Sequence, residues 1–168
     1  MPQKGNSWKV SILMYIYTPL MVLPIILVFI FYNYLGLDLV VYVGWILLAF
    51  SVVIIFLSGH EFQNKGGVPK GKSIVRTTVL VDSGIYSVIR HPQYLGFTML
   101  ILALVLMSQH WLSVISGVTG SVLFYIDVRG EEQANIEKFG DDYKRYMQKV
   151  PRMNALVGII RLLRRRNE

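Results

Sequence analysis

Residues 92–126 carry no Asp, Glu, Lys or Arg, and this long apolar run limits how the chain can fold more than any other feature. As one α-helix with a rise of about 1.5 Å per residue it would measure about 50 Å, whereas the hydrocarbon core of a bilayer is about 30 Å thick. The run must therefore fold back on itself. The polar Ser108-Gln109-His110 triplet near its middle predicts the turn of a helical hairpin.

Two further apolar segments precede this run. The first, about residues 11–34, contains Pro19 and Pro24, where a kink is expected because neighbouring helices of a bundle can satisfy the freed carbonyl groups. The second, residues 39–57, follows a short turn at 36–38, so the two segments should form an antiparallel hairpin. The pattern predicts an all-α, polytopic membrane helix bundle with four spans.

Composition supports a membrane protein and limits its chemistry. Only 16% of the residues are charged, against about 25% in soluble domains. The absence of cysteine excludes disulfides, thiolate ligands and cysteine nucleophiles, and the three histidines lie too far apart to predict a metal centre. We predict one integral membrane domain over residues 1–168, with an N-terminal hairpin over 1–60 and a catalytic part over 61–168.

The basic residues predict the orientation. All seventeen Lys and Arg residues precede the first span, lie between the second and third, or follow the fourth. By the positive-inside rule, both termini and the connection over residues 60–90 should be cytoplasmic, while the turns at 36–38 and 108–110 face the other side. The net charge of +7 then favours anionic membrane lipid over nucleic acid as the partner.

The connection and the C-terminal region are more polar. Residues 66–72 are rich in glycine and predict a turn, and 74–81 should be extended. Beyond Arg129, apolar residues recur at helical spacing with an interruption at Gly140, which predicts one or two helices outside the bilayer. The last helix, over 156–163, has arginines opposite an apolar stripe and should lie at the interface rather than form a fifth crossing.

An ionisable pair, Arg90-His91, stands directly before the long apolar run. His91 precedes proline and should be extended, while Pro92 suits the first position of a helix. The helix N-terminus and Arg90 together would attract an anion such as a carboxylate. Taken alone, however, Arg90 could equally bind lipid phosphate, and Tyr94 could be an interfacial anchor.

A second polar cluster, Glu131-Glu132, should lie on the same membrane face. Its carboxylates could accept hydrogen bonds from ribose hydroxyls or an ammonium group, or they could pair with Arg90 or Arg129. Tyr143 and Tyr146 follow on a helix that could cover this region, where aromatic faces contact an adenine ring or a cation. The alternative for both tyrosines is an apolar helix face that packs on the bundle.

In this combination and order, these elements resemble the isoprenylcysteine carboxyl methyltransferase family. The resemblance covers roughly residues 77–151 and rests on Ser83-Gly84-Ile85-Tyr86, Arg90-His91-Pro92-Gln93-Tyr94-Leu95-Gly96, an apolar hairpin, Glu131-Glu132, Phe139-Gly140-Asp141-Asp142-Tyr143-Lys144-Arg145-Tyr146 and Val150-Pro151. The chain departs from the common pattern at Arg152-Met153-Asn154-Ala155, which lacks a further proline.

The resemblance implies an integral membrane enzyme that uses S-adenosylmethionine and releases S-adenosylhomocysteine. It implies that Arg90 holds the substrate carboxylate. It also implies a cofactor pocket on the cytoplasmic side, formed by Gly84, Tyr86, His91, Tyr94, Glu131, Glu132, Tyr143 and Tyr146.

We therefore expect methyl transfer to the carboxylate of a lipophilic substrate, such as a C-terminal isoprenylcysteine. A carboxylate needs no general base, so positioning and electrostatics would provide the catalysis. The nearest alternative is a phospholipid amine N-methyltransferase, which has a similar histidine-proline and paired-glutamate arrangement. A membrane reductase with a nicotinamide cofactor and a non-enzymatic membrane protein are further alternatives.

Overall fold

The computed structural model describes residues 12–67 and 78–167, and within these ranges the regular structure is entirely helical. This confirms the all-α prediction. The helices are α1 (Ile12–Ile30), α2 (Asp38–Lys65), α3 (Pro92–Ser108), α4 (Trp111–Phe139), α5 (Asp141–Lys149) and α6 (Ala155–Asn167), with a short 3-10 turn at Gly84–Ser87 before α3.

Four apolar helices form the bundle. Within the described residues, α1, α2 and α4 are long and apolar enough to cross a membrane, and α3 is a shorter apolar helix of 17 residues. The most extensive packing joins α2 to α3 and α1 to α4. Large apolar side chains such as Phe29 and Phe56 remain exposed on the outer surface, as expected where lipid replaces water as the solvent.

Helices α2 and α4 are longer than the sequence pattern predicted. The α2 helix continues through His60 to Lys65, where an ion pair of 3.0 Å between Lys65 and Glu61 supports its last turn. The α4 helix passes Arg129 without interruption and ends at Gly140, whose φ of +59° stops the helix as expected. Apolar patterning detects only the part of a helix that lies in lipid, so both polar extensions were missed.

Part of the predicted connection lies outside the described residues. This applies to most of the glycine-rich turn at 66–72 and to residues 74–77 of the expected extended segment. The described end of the connection folds back on α2, because the backbone N–H groups of Thr78 and Val79 donate to the carbonyl oxygen of Gly66 at 2.9 and 3.3 Å.

The approach of α3 to α2 depends on Gly96. A Cβ atom at this position would lie 2.6 Å from Ile55 Cγ1, closer than two carbon atoms can pack. A glycine at this position could admit either a ligand or a neighbouring helix. The structure shows that the neighbour is α2.

The two predicted turns lie together at the end of the bundle away from Arg90. Asn33 and Tyr34 donate backbone hydrogen bonds to the carbonyl oxygens of Met107 and Ser108 at 2.8 and 3.2 Å. Gln109 joins the turns through its side chain: Nε2 donates to Asn33 Oδ1 and to the Leu37 carbonyl, both at 2.9 Å, and Oε1 accepts from the Leu37 amide at 3.2 Å. The polar triplet is therefore both a turn and a connector between the hairpins.

Replacement of Gln109 by alanine should destabilise the bundle without altering the opposite end. It removes the three side-chain hydrogen bonds that join the two turns, each of which contributes about 0.5–1.5 kcal/mol. We expect a clearly lower melting temperature in detergent micelles. Gln133→Ala, at an exposed position on α4, is the control and should melt like the parent protein.

Candidate functional site

The Arg90-His91 dipeptide connects the start of α3 to the segment after α5. Pro92 is the first helical residue of α3, as predicted. His91 is the N-cap, and its φ of −122° and ψ of 62° are neither helical nor the extended conformation that was expected. The backbone N–H groups of Arg90 and His91 donate to the carbonyl oxygens of Pro151 and Arg152 at 3.0 and 3.1 Å. These two hydrogen bonds fix the α5–α6 connection against the end of the bundle.

The Arg90 side chain is buried and bonded to protein acceptors. Its Nη1 donates to the carbonyl oxygens of Met147 and Val150 at 2.7 and 3.0 Å, and Nη2 donates to Glu132 Oε1 at 2.7 Å. The two carbonyls belong to the end of α5, where the last turn leaves acceptors without helical partners. Arg90 therefore joins the start of α3, α4 and the end of α5.

Glu132 is the centre of a cluster of basic side chains. It is 3% exposed and accepts hydrogen bonds from Arg90 and from Arg152, whose Nε lies 3.0 Å from Oε2 and whose Nη2 is also bonded to that oxygen. His91 Nε2 lies 3.4 Å from Glu132 Oε1. Two arginines thus share one carboxylate.

Arg152 was not among the sequence-predicted site residues. In the sequence, only its position could have pointed to it: Arg152 comes directly after Val150-Pro151, where the chain departs from the pattern of the isoprenylcysteine carboxyl methyltransferase family. The Glu132 carboxylate raises the pKa of Arg152 further above its ordinary value, so this guanidinium stays charged.

The predicted tyrosines of α5 face inward. Tyr146 donates a hydrogen bond of 2.6 Å to the carbonyl oxygen of Tyr86 in the 3-10 turn, and the Tyr143 and Tyr146 rings meet edge to face with centroids 5.8 Å apart. Burial raises the pKa of Tyr143 to about 12 and raises that of Tyr146 further, so both hydroxyls are neutral near pH 7. The alternative of an apolar helix face therefore describes only part of their role, because Tyr146 also joins α5 to the turn.

Gly84 begins the 3-10 turn with a φ of +57°. A Cβ atom there would lie 1.8 Å from Glu61 Oε1, so the residue is required both by its backbone conformation and by the carboxylate beside it. Lys65 pairs with Glu61 and donates to Ser83 Oγ at 3.0 Å. Glu61 was not predicted as a neighbour of Gly84, because the polar sequence from residue 60 onward indicates a connection, whereas α2 continues through Glu61.

Tyr94 and Glu131 lie on the α1 side of the cluster. The Tyr94 ring stacks on Phe124 with centroids 4.3 Å apart and meets the His91 ring edge to face at 5.5 Å. The Glu131 carboxylate is half-buried and lies beside the Tyr94 hydroxyl. The nine predicted site residues are therefore brought to one end of the bundle, although they come from four separate segments of the chain.

Two concave surfaces adjoin this region. A cavity of about 520 Å³ lies between residues 78–82 and α5, and among the predicted cofactor residues Tyr146 lines it. A second, nearly apolar groove of about 350 Å³ lies between α3 and α4, with Tyr125 and Met153 in its lining.

Comparison with known proteins gives one match. A family model described as phospholipid methyltransferase matches residues 39–142, which is more than half of the chain. The match includes Gly84, Arg90 and His91, together with Glu131 and Glu132, and it ends just before Tyr143. No curated protein and no solved structure matches the chain.

Proposed function

Because this chain belongs to the phospholipid methyltransferase family, we propose that it is an S-adenosylmethionine-dependent enzyme that methylates the carboxylate of a lipophilic membrane substrate, such as a C-terminal isoprenylcysteine. The family assignment supports a membrane methyltransferase. The observation that favours an anionic acceptor is that Arg90 and Arg152 both bond the single carboxylate of Glu132, while the Arg152 side chain is 26% exposed and can pair with a further anion.

The residues around the cluster fit the groups of S-adenosylmethionine. His91 Nε2 is buried and, apart from its 3.4 Å approach to Glu132 Oε1, has no hydrogen-bond partner, and the half-buried Glu131 carboxylate can accept from an ammonium group or ribose hydroxyls. Tyr94 provides a partly exposed aromatic ring, whereas Tyr86 and Tyr143 are buried and would contact the cofactor only after a local movement. We therefore keep all eight predicted cofactor residues as proposed contacts, with Gly84, Glu132 and Tyr146 also holding the local fold.

When bound, S-adenosylmethionine supplies an electrophilic methyl group on a sulfonium. Transfer to a carboxylate forms a carbon–oxygen bond and breaks the carbon–sulfur bond, and no proton has to move. The protein then contributes position and charge compensation, which are effective in a site that excludes water. This agrees with a cluster that contains two arginines and a carboxylate held by them rather than an acid–base pair.

Direct contact between Arg90 and the substrate carboxylate stays a proposal, and it would require a movement of the protein. Its side chain is 7% exposed and both Nη atoms are bonded to protein. A substrate would reach it only after Glu132 or the end of α5 moves. In the described conformation Arg90 is a positioning residue, and Arg152 is the more accessible arginine.

A phospholipid amine is the second candidate acceptor, and the family description favours it. An amine must lose a proton during methylation and is repelled by positive charge. The phosphate of the same lipid could, however, pair with an arginine.

The acceptor can be identified with methyl-labelled S-adenosylmethionine and the purified full chain in lipid nanodiscs. We expect transfer to a prenylated cysteine analogue to give an ester whose label is released as volatile methanol by base. Transfer to phosphatidylethanolamine would give a base-stable label and favour the second candidate. NADPH binding without S-adenosylhomocysteine binding would contradict both and support the reductase alternative, and binding of neither with no transfer would support a non-enzymatic protein.

The proposed cytoplasmic position of this end of the bundle rests on the distribution of Lys and Arg in the sequence.

A further inference from the structure

The α3–α4 groove opens on the surface of the bundle that lipid contacts. Its lining includes Leu102 of α3 and Val118 and Val122 of α4, and the two valines are about half exposed. The α4 residues of the lining extend from Gly117 to Tyr125, so the Tyr125 end is the one nearer to Glu132. An apolar groove of this kind in a bilayer accommodates a hydrocarbon chain.

Arg152 connects this end of the groove to the buried cluster. Its Nε and Nη2 are bonded to Glu132, while Nη1 makes only a long contact of 3.4 Å with the Tyr125 hydroxyl, and its guanidinium lies 5.8 Å from the Tyr125 ring centroid. The Arg152 side chain is 26% exposed, compared with 7% for Arg90. Met153, the next residue, is itself part of the groove lining.

We infer that the groove binds the hydrocarbon chain of an amphiphile whose oxyanion head, a carboxylate or a phosphate, is held by Arg152. An oxyanion fits because both arginines bond the same Glu132 carboxylate, whereas the neighbouring Glu131 lies beside Tyr94. The planar guanidinium also pairs geometrically with carboxylate and phosphate oxygens. This inference rests on the proposed function, because the amphiphile is taken to be the methyl acceptor. Arg152 would then select the substrate by binding its oxyanion head.

The inference can be tested by binding alone, without cofactor or methyl transfer. The full chain in phosphatidylcholine nanodiscs would be irradiated with three probes that carry the same diazirine-labelled acyl chain: palmitate, phosphatidic acid and uncharged diacylglycerol. Labelled peptides are then mapped by mass spectrometry. We expect the anionic probes to label the α3 and α4 groove about tenfold more than the uncharged probe does, the factor that corresponds to one charge-assisted interaction.

Variants separate the head site from the chain site. Arg152→Gln should remove the preference for anionic probes, and Arg152→Lys should retain part of it because the charge remains. Val118→Trp should reduce groove labelling by all three probes. Val53→Trp on α2 is the matched control, since Val53 and Val118 are both 52% exposed and Val53 lies outside the groove; labelling should be unchanged.

Each outcome decides a distinct point. Equal labelling by charged and uncharged probes, unchanged by Arg152→Gln and Arg152→Lys, indicates annular lipid only and overturns the inference. A preference for palmitate over phosphatidic acid identifies a carboxylate head, and the reverse a phosphate head. Selective groove labelling in a protein that transfers no methyl group would retain the binding site and reject the proposed reaction.

Discussion

Arg90→Ala is expected to lower the free energy of unfolding by about 3–5 kcal/mol and to abolish methyl transfer. The loss is large because the variant leaves the buried Glu132 with one of its two arginines removed, and leaves the carbonyls of Met147 and Val150 without their donor. Thermal unfolding in detergent measures the first effect, and an assay at a temperature where the variant is folded measures the second.

Two further variants identify the cause of these losses. Arg90→Lys keeps the charge but cannot bond Glu132 and the α5 carbonyls together, so it should recover only part of the stability. Arg145→Ala is the control, because Arg145 also pairs with a carboxylate, Asp142, but at the surface, where such pairs contribute about 0–1 kcal/mol. If Arg90→Ala melts like Arg145→Ala, the structural role given to Arg90 is wrong. Full stability with lost turnover would instead support direct contact with the substrate.

The membrane helices could be predicted because lipid imposes a simple condition on sequence. A charge-free run longer than a bilayer must fold back, and Ser108-Gln109-His110 is the polar place to do so. The ends of α2 and α4 could not be predicted in this way, since helices outside lipid obey no such rule. Their extension brings Glu61 beside Gly84 and Glu132 beside Arg90.

The sequence predicted which residues lie together at this end of the bundle, and it gave a pair between Arg90 and the two glutamates as one alternative, but it did not predict the other bonds. Sequence order showed that Arg90, Glu132 and the α5 tyrosines belong to one region. It did not show that Arg90 bonds the end of α5, because the acceptors are main-chain carbonyls, and every residue type has one. Arg152 was missed for a related reason: in the sequence it is one of several arginines near a basic tail, and only its contact with Glu132 distinguishes it.

Glu132→Gln and Glu131→Gln should affect different properties, although these residues are neighbours: the first should lower stability and the second should weaken cofactor binding. Without the Glu132 charge, the buried Arg90 has no counter-ion, and we expect a loss of about 3–5 kcal/mol in stability. Glu131 is half-buried and carries no comparable ion pair among the described contacts. Its variant should melt within a few degrees of the parent but bind S-adenosylhomocysteine at least about tenfold more weakly in calorimetry, the effect of one lost charged hydrogen bond.

A double variant provides the decisive comparison for the buried pair. When both charges are replaced by apolar residues of similar size, no unpaired charge remains between these positions, and Arg152 is exposed enough to be solvated. Arg90→Met combined with Glu132→Leu should therefore be less destabilised than the sum of the single variants, with a coupling energy of about 1–3 kcal/mol. Additive losses would show that the two side chains act separately. Coupled stability together with lost S-adenosylhomocysteine binding would add a direct cofactor role for Glu132 to its structural one.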